Sequence, residues 1–171
     1  MQDKKLFVAV LMGSDSDFPV MQSTLDVLKN LDIPYEVRIS SAHRTPVETH
    51  AYVTDADARG CAVFIAAAGL AAHLAGAVAA NTVKPVIGVP LDAGSLQGAD
   101  ALLSTVQMPG GVPVASVAIG KPGAKNAAYL AAQILALVDA DIAERVRADR
   151  KAAGEAVIKK NEELQASLQN G

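Results

Sequence analysis

Leu6-Phe7-Val8-Ala9-Val10-Leu11, closed by Met12-Gly13-Ser14-Asp15-Ser16-Asp17, is the stretch that decides the fold. Six apolar residues in a row do not alternate as a half-solvated strand would. They fit a strand buried on both faces, as in a parallel sheet covered by helices. Gly13 breaks the run, and Asp17 with Pro19 behind it starts a helix by offering an N-cap and a preset first turn. Met21, Leu25 and Leu28 then recur at helical spacing until Asn30 and Pro34 end the pattern.

The same unit recurs down the chain. Tyr35 to Ser40 reads as a second strand. Thr45-Pro46-Val47-Glu48 reads as a helix start in which Thr45 caps and Glu48 completes a capping box. That helix runs to about Gly60. Ala62 to Ala66 is a third strand, with a helix over Ala71 to Ala80. Val86 to Val89 is a fourth, stopped by Pro90, with a short helix over Ala99 to Val106. Val114 to Ala118 is a fifth, with a helix from Ala124 to Leu137. Five strand–helix units in succession predict right-handed crossovers. The expected architecture is a three-layer α/β fold on one domain, residues 1–171: a flavodoxin-like, doubly wound parallel sheet of five strands.

One segment falls outside the alternation. Ile142, Val146, Ala153, Val157, Leu164 and Leu168 keep one face of an extra C-terminal helix over residues 140–170, and charge covers the other face. Its stripe packs either on its own domain or, the preferred reading, on a neighbouring subunit.

Composition narrows the function. Aromatics are 4% of the chain, too few for a base-stacking platform. The net charge is −3 and the basic residues are dispersed, so neither DNA nor RNA is the expected partner. Cys61 is the single cysteine, which excludes a disulfide framework and suits a reducing, cytoplasmic compartment. Met1 to Lys5 run straight into the first strand, so no signal peptide is expected. The apolar stretch from Cys61 to Ala80 is interrupted by Gly69, His73 and Gly76, so no membrane span is expected either.

In open α/β sheets, ligands bind beyond the carboxyl ends of the strands, where the strand order reverses. Three polar segments follow strand ends: Gly13 to Asp17, Ser40 to Arg44, and Ala68 to His73. Amides and hydroxyls at Gly13-Ser14 suit a phosphate or ribose, although a Ser/Asp cluster before a helix is more often a cap. Arg44 suits bidentate recognition of phosphate or carboxylate. His43 is the general acid/base candidate, because imidazole titrates near neutrality. His50 is expected to be exposed on its helix. His73 is either a buried, hydrogen-bonded histidine or a residue behind the site. The histidines and cysteine lack metal-ligand spacing, and Asp15 and Asp17 read as capping groups rather than a cation site. No dinucleotide, NTP or serine-hydrolase motif is present.

Taken together, Met12-Gly13-Ser14-Asp15-Ser16-Asp17, Ser41-Ala42-His43-Arg44-Thr45-Pro46, Ala71-Ala72-His73-Leu74, Gln107 to Val114 and Ala118-Ile119-Gly120 resemble the phosphoribosylaminoimidazole carboxylase catalytic family. Within it they are most similar to the bacterial class, the N5-carboxyaminoimidazole ribonucleotide mutases of de novo purine biosynthesis. The resemblance runs from about residue 7 to residue 138. It implies migration of a carboxylate from the exocyclic nitrogen to ring C4 of a ribonucleotide substrate, without ATP, metal or other cofactor. By position it implies that Ser14, Asp17 and Arg44 bind the nucleotide, that His43 carries the proton, and that Ser41, Gly69 and His73 line the site. It also implies homo-octamers with shared sites.

One loop departs from the family pattern. The family usually reads A-G-A-G-G-A-A-H-L-P-G where this chain has Ala67, Leu70 and Ala75 in place of two glycines and a proline. Loss of glycine restricts backbone angles; the fold and activity are expected to be retained. Two other readings remain: direct carboxylation of aminoimidazole ribonucleotide by free carbon dioxide, and a non-catalytic nucleotide-binding module.

Overall fold

β1 (Phe7–Met12) is buried at every position, as an unbroken apolar run requires. The computed structural model describes residues 6–169; Met1 to Lys5, read as a start without a signal peptide, and Asn170 and Gly171, the first of them read as the end of the C-terminal helix, lie outside them. β1 pairs in parallel with β2 (Tyr35–Ile39) on one side and with β3 (Cys61–Ala68) on the other. β4 (Val86–Pro90) and β5 (Ala115–Ser116) extend the sheet beyond β3. The order β2-β1-β3-β4-β5 is the flavodoxin-like order. The chain steps outward from β1 to β2 and then returns past it, so the carboxyl ends of β1 and β3 form the switch point.

Helices cover both faces. α1 (Phe18–Asn30) and α5 (Gly120–Leu135) pack on one. Val8, Val10 and Met12 of β1 meet Val63, Ile65 and Ala67 of β3 there, beneath Leu25, Leu28 and the fully buried Ala127, Ala128 and Ala131. Methyl side chains let α5 lie close to α1, and the buried Thr24 hydroxyl donates to the Ala124 carbonyl at 2.7 Å across that seam. α2 (Pro46–Arg59) and α3 (Leu74–Ala79) cover the other face, over Phe7, Ala9, Leu11 and Phe64. α4 (Ala99–Val106) sits against β4 at Gly88, where a Cβ would fall 2.3 Å from a Thr105 methyl.

Several boundaries differ from expectation for identifiable reasons. β5 holds two residues rather than five. It is an edge strand whose one neighbour ends at Pro90, which has no N–H to continue the ladder. The third helix starts at Leu74 rather than Ala71, because Leu70 adopts a left-handed φ of +56°. Asp17 does not cap α1 with its side chain: a 3-10 turn over Asp15–Asp17 intervenes and Ser14 caps that turn. The Thr45–Glu48 capping box does not form either, because the Thr45 hydroxyl is engaged by Ser41.

α6 (Ala140–Gln169) is one continuous helix of 30 residues. Ile142 is buried and Val146 partly so, against the α1–α5 face, and the Tyr129 hydroxyl donates to Asp149 at 2.7 Å. Every residue from Lys151 to Gln169 is exposed. Among the described residues, no helix is long and apolar enough to cross a membrane.

Candidate active site

The loops after β1, β2 and β3 converge at the switch point on a cleft of about 490 Å3. It is lined by Ser14 and Asp17 from the first, by Ser41, His43 and Arg44 from the second, and by Gly69 and His73 from the third. All seven residues singled out from sequence therefore meet in one place, although three separate loops carry them.

The first loop is held by a reciprocal pair. The Ser14 N–H donates to Asp17 Oδ2 at 3.0 Å, and the Ser14 hydroxyl accepts from the Ser16 N–H at 3.3 Å. Asp15 Oδ1 accepts from the Ser14 hydroxyl and the Ser16 N–H. Both carboxylates are thus engaged by the turn. Burial pushes the Asp17 carboxyl above the usual carboxylate range, against the opposing pull of the Ser14 and Gly13 amides. The Arg44 charge nearby also favours the ionised form.

The second loop is braced from below. Thr45 Oγ1 accepts from the Ser41 N–H at 3.0 Å and donates to the Ser41 carbonyl at 3.1 Å. Beneath it, the buried Ser40 and Thr49 hydroxyls are 2.7 Å apart. Ser41 Oγ accepts from the Arg44 amide at 3.2 Å, and Arg44 Nη2 donates to the Gly13 carbonyl at 3.1 Å. That last bond ties the second loop to the first and aims a guanidinium across the cleft mouth. Its remaining donors suit an anion.

His43 Nε2 lies 2.7 Å from His73 Nδ1, with the rings edge to face at 79°. One nitrogen must donate and the other accept, so the contact holds a single shared proton. His73 is exposed at the first position before α3, not buried as one sequence reading had it. The pairing of two histidines 30 positions apart was not legible in the sequence. Ala93, which follows β4 and also lines the cleft, carried no signal because alanine marks no chemistry.

Other groups fall outside the cleft. His50 is exposed and bonds to Asn81. Burial pushes the Cys61 thiol up to about 11, so it is a protonated core residue that donates to the Val63 carbonyl. Among the described residues, no cluster of three or more His, Cys, Asp or Glu side chains could hold a metal ion. The Gln107 to Val114 segment does not line the cleft of its own chain; it rests by α3, where Met108 Sδ lies 3.4 Å from the place of a Cβ on Gly76.

The profile of the AIR carboxylase family matches residues 7–156. The chain belongs to this family. It is 49% identical over 157 residues to N5-carboxyaminoimidazole ribonucleotide mutase of Bacillus subtilis, covering 92% of this chain and 97% of the relative. The mutase of Mycobacterium tuberculosis is 51% identical over 158 residues, covering 92% and 90% respectively. Among solved structures, Treponema denticola PurE superposes with a TM-score of 0.84 at 32% identity, over 93% of this chain and 98% of that one. The departures at Ala67, Leu70 and Ala75 thus sit in a family fold that is kept. Leu70 itself adopts the left-handed angle that a glycine would take without cost.

Proposed function

We infer that this chain is an isomerase that converts N5-carboxyaminoimidazole ribonucleotide to 4-carboxy-5-aminoimidazole ribonucleotide in de novo purine biosynthesis. The observation that carries the reading is the His43–His73 contact, set beside Arg44, Ser14 and Asp17 at the switch point. Mutase relatives about half identical over nearly the whole chain supply the substrate. Arg44 and the Ser14 hydroxyl suit the nucleotide's anionic groups, and the Asp17 carboxylate suits ribose hydroxyls.

The chemistry needs one proton carrier. The N5–carboxylate bond breaks, carbon dioxide leaves, and the bonding electron pair stays on N5, which takes a proton from His43. C4 of the electron-rich ring then attacks carbon dioxide, forming the new C–C bond. The C4 proton passes back to the His43 nitrogen, and the ring regains its aromatic electrons. Net proton change is zero, so one histidine serves both halves. His73 suits the task of orienting His43 and accepting or lending its proton through the shared bond.

A cytoplasmic homo-oligomer, an octamer by family resemblance, fits the rest of the surface. Val37 and Ile39 of the edge strand β2 are exposed, as are Val157, Leu164 and Leu168 on the free part of α6. Neighbouring subunits covering these would give α6 and the Gln107 to Val114 segment, which lies outside its own cleft, a role in assembly.

The test is turnover of the N5-carboxylated nucleotide by wild type and His43→Asn, each also offered aminoimidazole ribonucleotide with bicarbonate. Wild type should turn over the first substrate, and His43→Asn should lose about a hundredfold or more of that rate. Equal rates would remove His43 from the mechanism. Faster use of the second substrate would make the protein a direct carboxylase.

A further inference from the structure

Two helices begin at the site, and polar contacts join them along their seam. α2 starts at Pro46, soon after His43, and α3 starts directly after His73. At the top of the seam lies the His43–His73 contact of 2.7 Å. Lower down, His50 in the second turn of α2 meets Asn81, just past the end of α3, at 2.5 Å. Beside that, the Thr82 hydroxyl donates to Asp57 Oδ2 at 2.5 Å, and Lys84 Nζ lies 4.0 Å from Asp57 Oδ1. His50 and Asp57 are about two turns of helix apart, so α2 presents one polar edge to the foot of α3.

The hydrogen in the His50–Asn81 bond can be assigned. Asn81 Nδ2 donates to the Ala77 carbonyl at 2.7 Å, and a carbonyl only accepts. That fixes the amide and leaves Asn81 Oδ1 as the acceptor facing α2. His50 Nδ1 therefore carries the hydrogen. Asn81 is a bridge with both ends in use, one on α3 and one on α2.

α3 has little else to fix its position along the seam. It holds six residues, too few for its own hydrogen bonds to make it rigid. It buries Leu74, Ala75 and Val78, and apolar packing of this kind has no direction. The contact above it is less forgiving. A bond of 2.7 Å between ring nitrogens is lost beyond about 3.2 Å. A small slide of α3 would break it.

We propose that His50 is a positioning residue for the reaction: through Asn81 it fixes α3 against α2 and so holds His73 at bonding distance from His43. The proposal rests on the mutase reading above, in which His43 moves the proton and His73 orients His43. Ser14, Asp17 and Arg44, the groups that suit the nucleotide, come from the first two loops and not from α3. Loss of the tie therefore reaches proton transfer and spares nucleotide binding. His50 is exposed, so its bond adds little to stability.

The experiment is steady-state turnover of the N5-carboxylated nucleotide by wild type, His50→Ala, His50→Asn, Asn81→Leu and the double variant His50→Ala with Asn81→Leu. His50→Ala should lower kcat by about fivefold with KM unchanged. Asn81→Leu should do the same, and the double variant should lose no more than either alone, because one bond is removed in all three. His50→Asn places an amide N–H near the position of Nδ1 and should return kcat to within about twofold of wild type. The melting temperatures of both His50 variants should stay within about 2 °C of wild type. Unchanged kcat in His50→Ala overturns the proposal, as does a loss carried by KM, an additive double variant, or a His50→Asn as slow as His50→Ala. A wild type that does not turn over this substrate defeats the mutase reading itself, and that result is seen before any variant is compared.

Discussion

At the residue scale, Asp17 shows how a site can work against its own fold. Burial raises its carboxyl above the ordinary carboxylate range. Between those two values the folded chain binds more protons than the unfolded chain does. The stability that Asp17 contributes is therefore complete at low pH and is lost as pH rises through its raised value. At neutral pH the ionised side chain contributes less to folding than the protonated one does at low pH. Asp17→Asn keeps an oxygen for the Ser14 amide without the charge. It should melt no lower than wild type at pH 7, lose the acid-side part of wild type's pH dependence, and raise the nucleotide KM by about tenfold, the value of one or two charged hydrogen bonds. Thermal melts across pH and a KM measurement check this. A lower melting temperature with unchanged KM would make Asp17 a purely structural cap.

At the element scale, the strands and helices were legible and the hinges between them were not. The unbroken run over Leu6 to Leu11 fits a strand covered on both faces, and five strand–helix units make the flavodoxin-like order the natural expectation, which the sheet bears out. The site was legible in outline, because His43, Arg44 and Ser14 carry chemistry that apolar neighbours do not. Capping was misread at Asp17 and Thr45 for one reason: each side chain has a local partner, Ser14 or Ser41, that outcompetes the helix N-terminus. Periodicity cannot rank such competitors. Thr45 tests the point. Its hydroxyl both accepts from and donates to Ser41, so it shapes the loop that presents His43 and Arg44. Thr45→Val keeps the volume and removes both bonds. A loss of about 1–2 kcal/mol is expected, a few degrees of melting temperature for a chain of this size. Turnover should fall by roughly tenfold, because loop misplacement near the chemistry is costly. Stability loss without any change in kcat/KM would detach this brace from the site.

At the scale of the whole molecule, α6 carries an apolar stripe that its own domain covers only at its start. Its first turns are anchored by Ile142 and by the Tyr129–Asp149 bond. The 19 residues from Lys151 to Gln169 then run on for about 28 Å with no position buried. Local pairs do not hold such a segment. Lys151–Glu155 and Lys159–Glu163 are 3.8 and 3.9 Å apart and well exposed, and each is worth only a few tenths of a kcal/mol. Both also place the lysine first, the weaker orientation for a pair four residues apart. The apolar stripe has an 11-residue repeat: Ile142, Ala153 and Leu164 form one row, and Val146, Val157 and Leu168 another. An 11-residue repeat keeps its face aligned along a nearly straight helix. The face buried at Ile142 is thus the same face that continues, uncovered, to Leu168. Burying Val157, Leu164 and Leu168 on a second copy is worth on the order of 1.5 kcal/mol per side chain. Ending the chain after Arg150 removes this stripe and leaves Ile142 and Val146 in place. Light scattering should then report a smaller assembly than that of the full chain, with the sheet signal in circular dichroism unchanged. An assembly of unchanged size would place the contacts between subunits elsewhere, with the exposed Val37 and Ile39 of β2 the next surface to break.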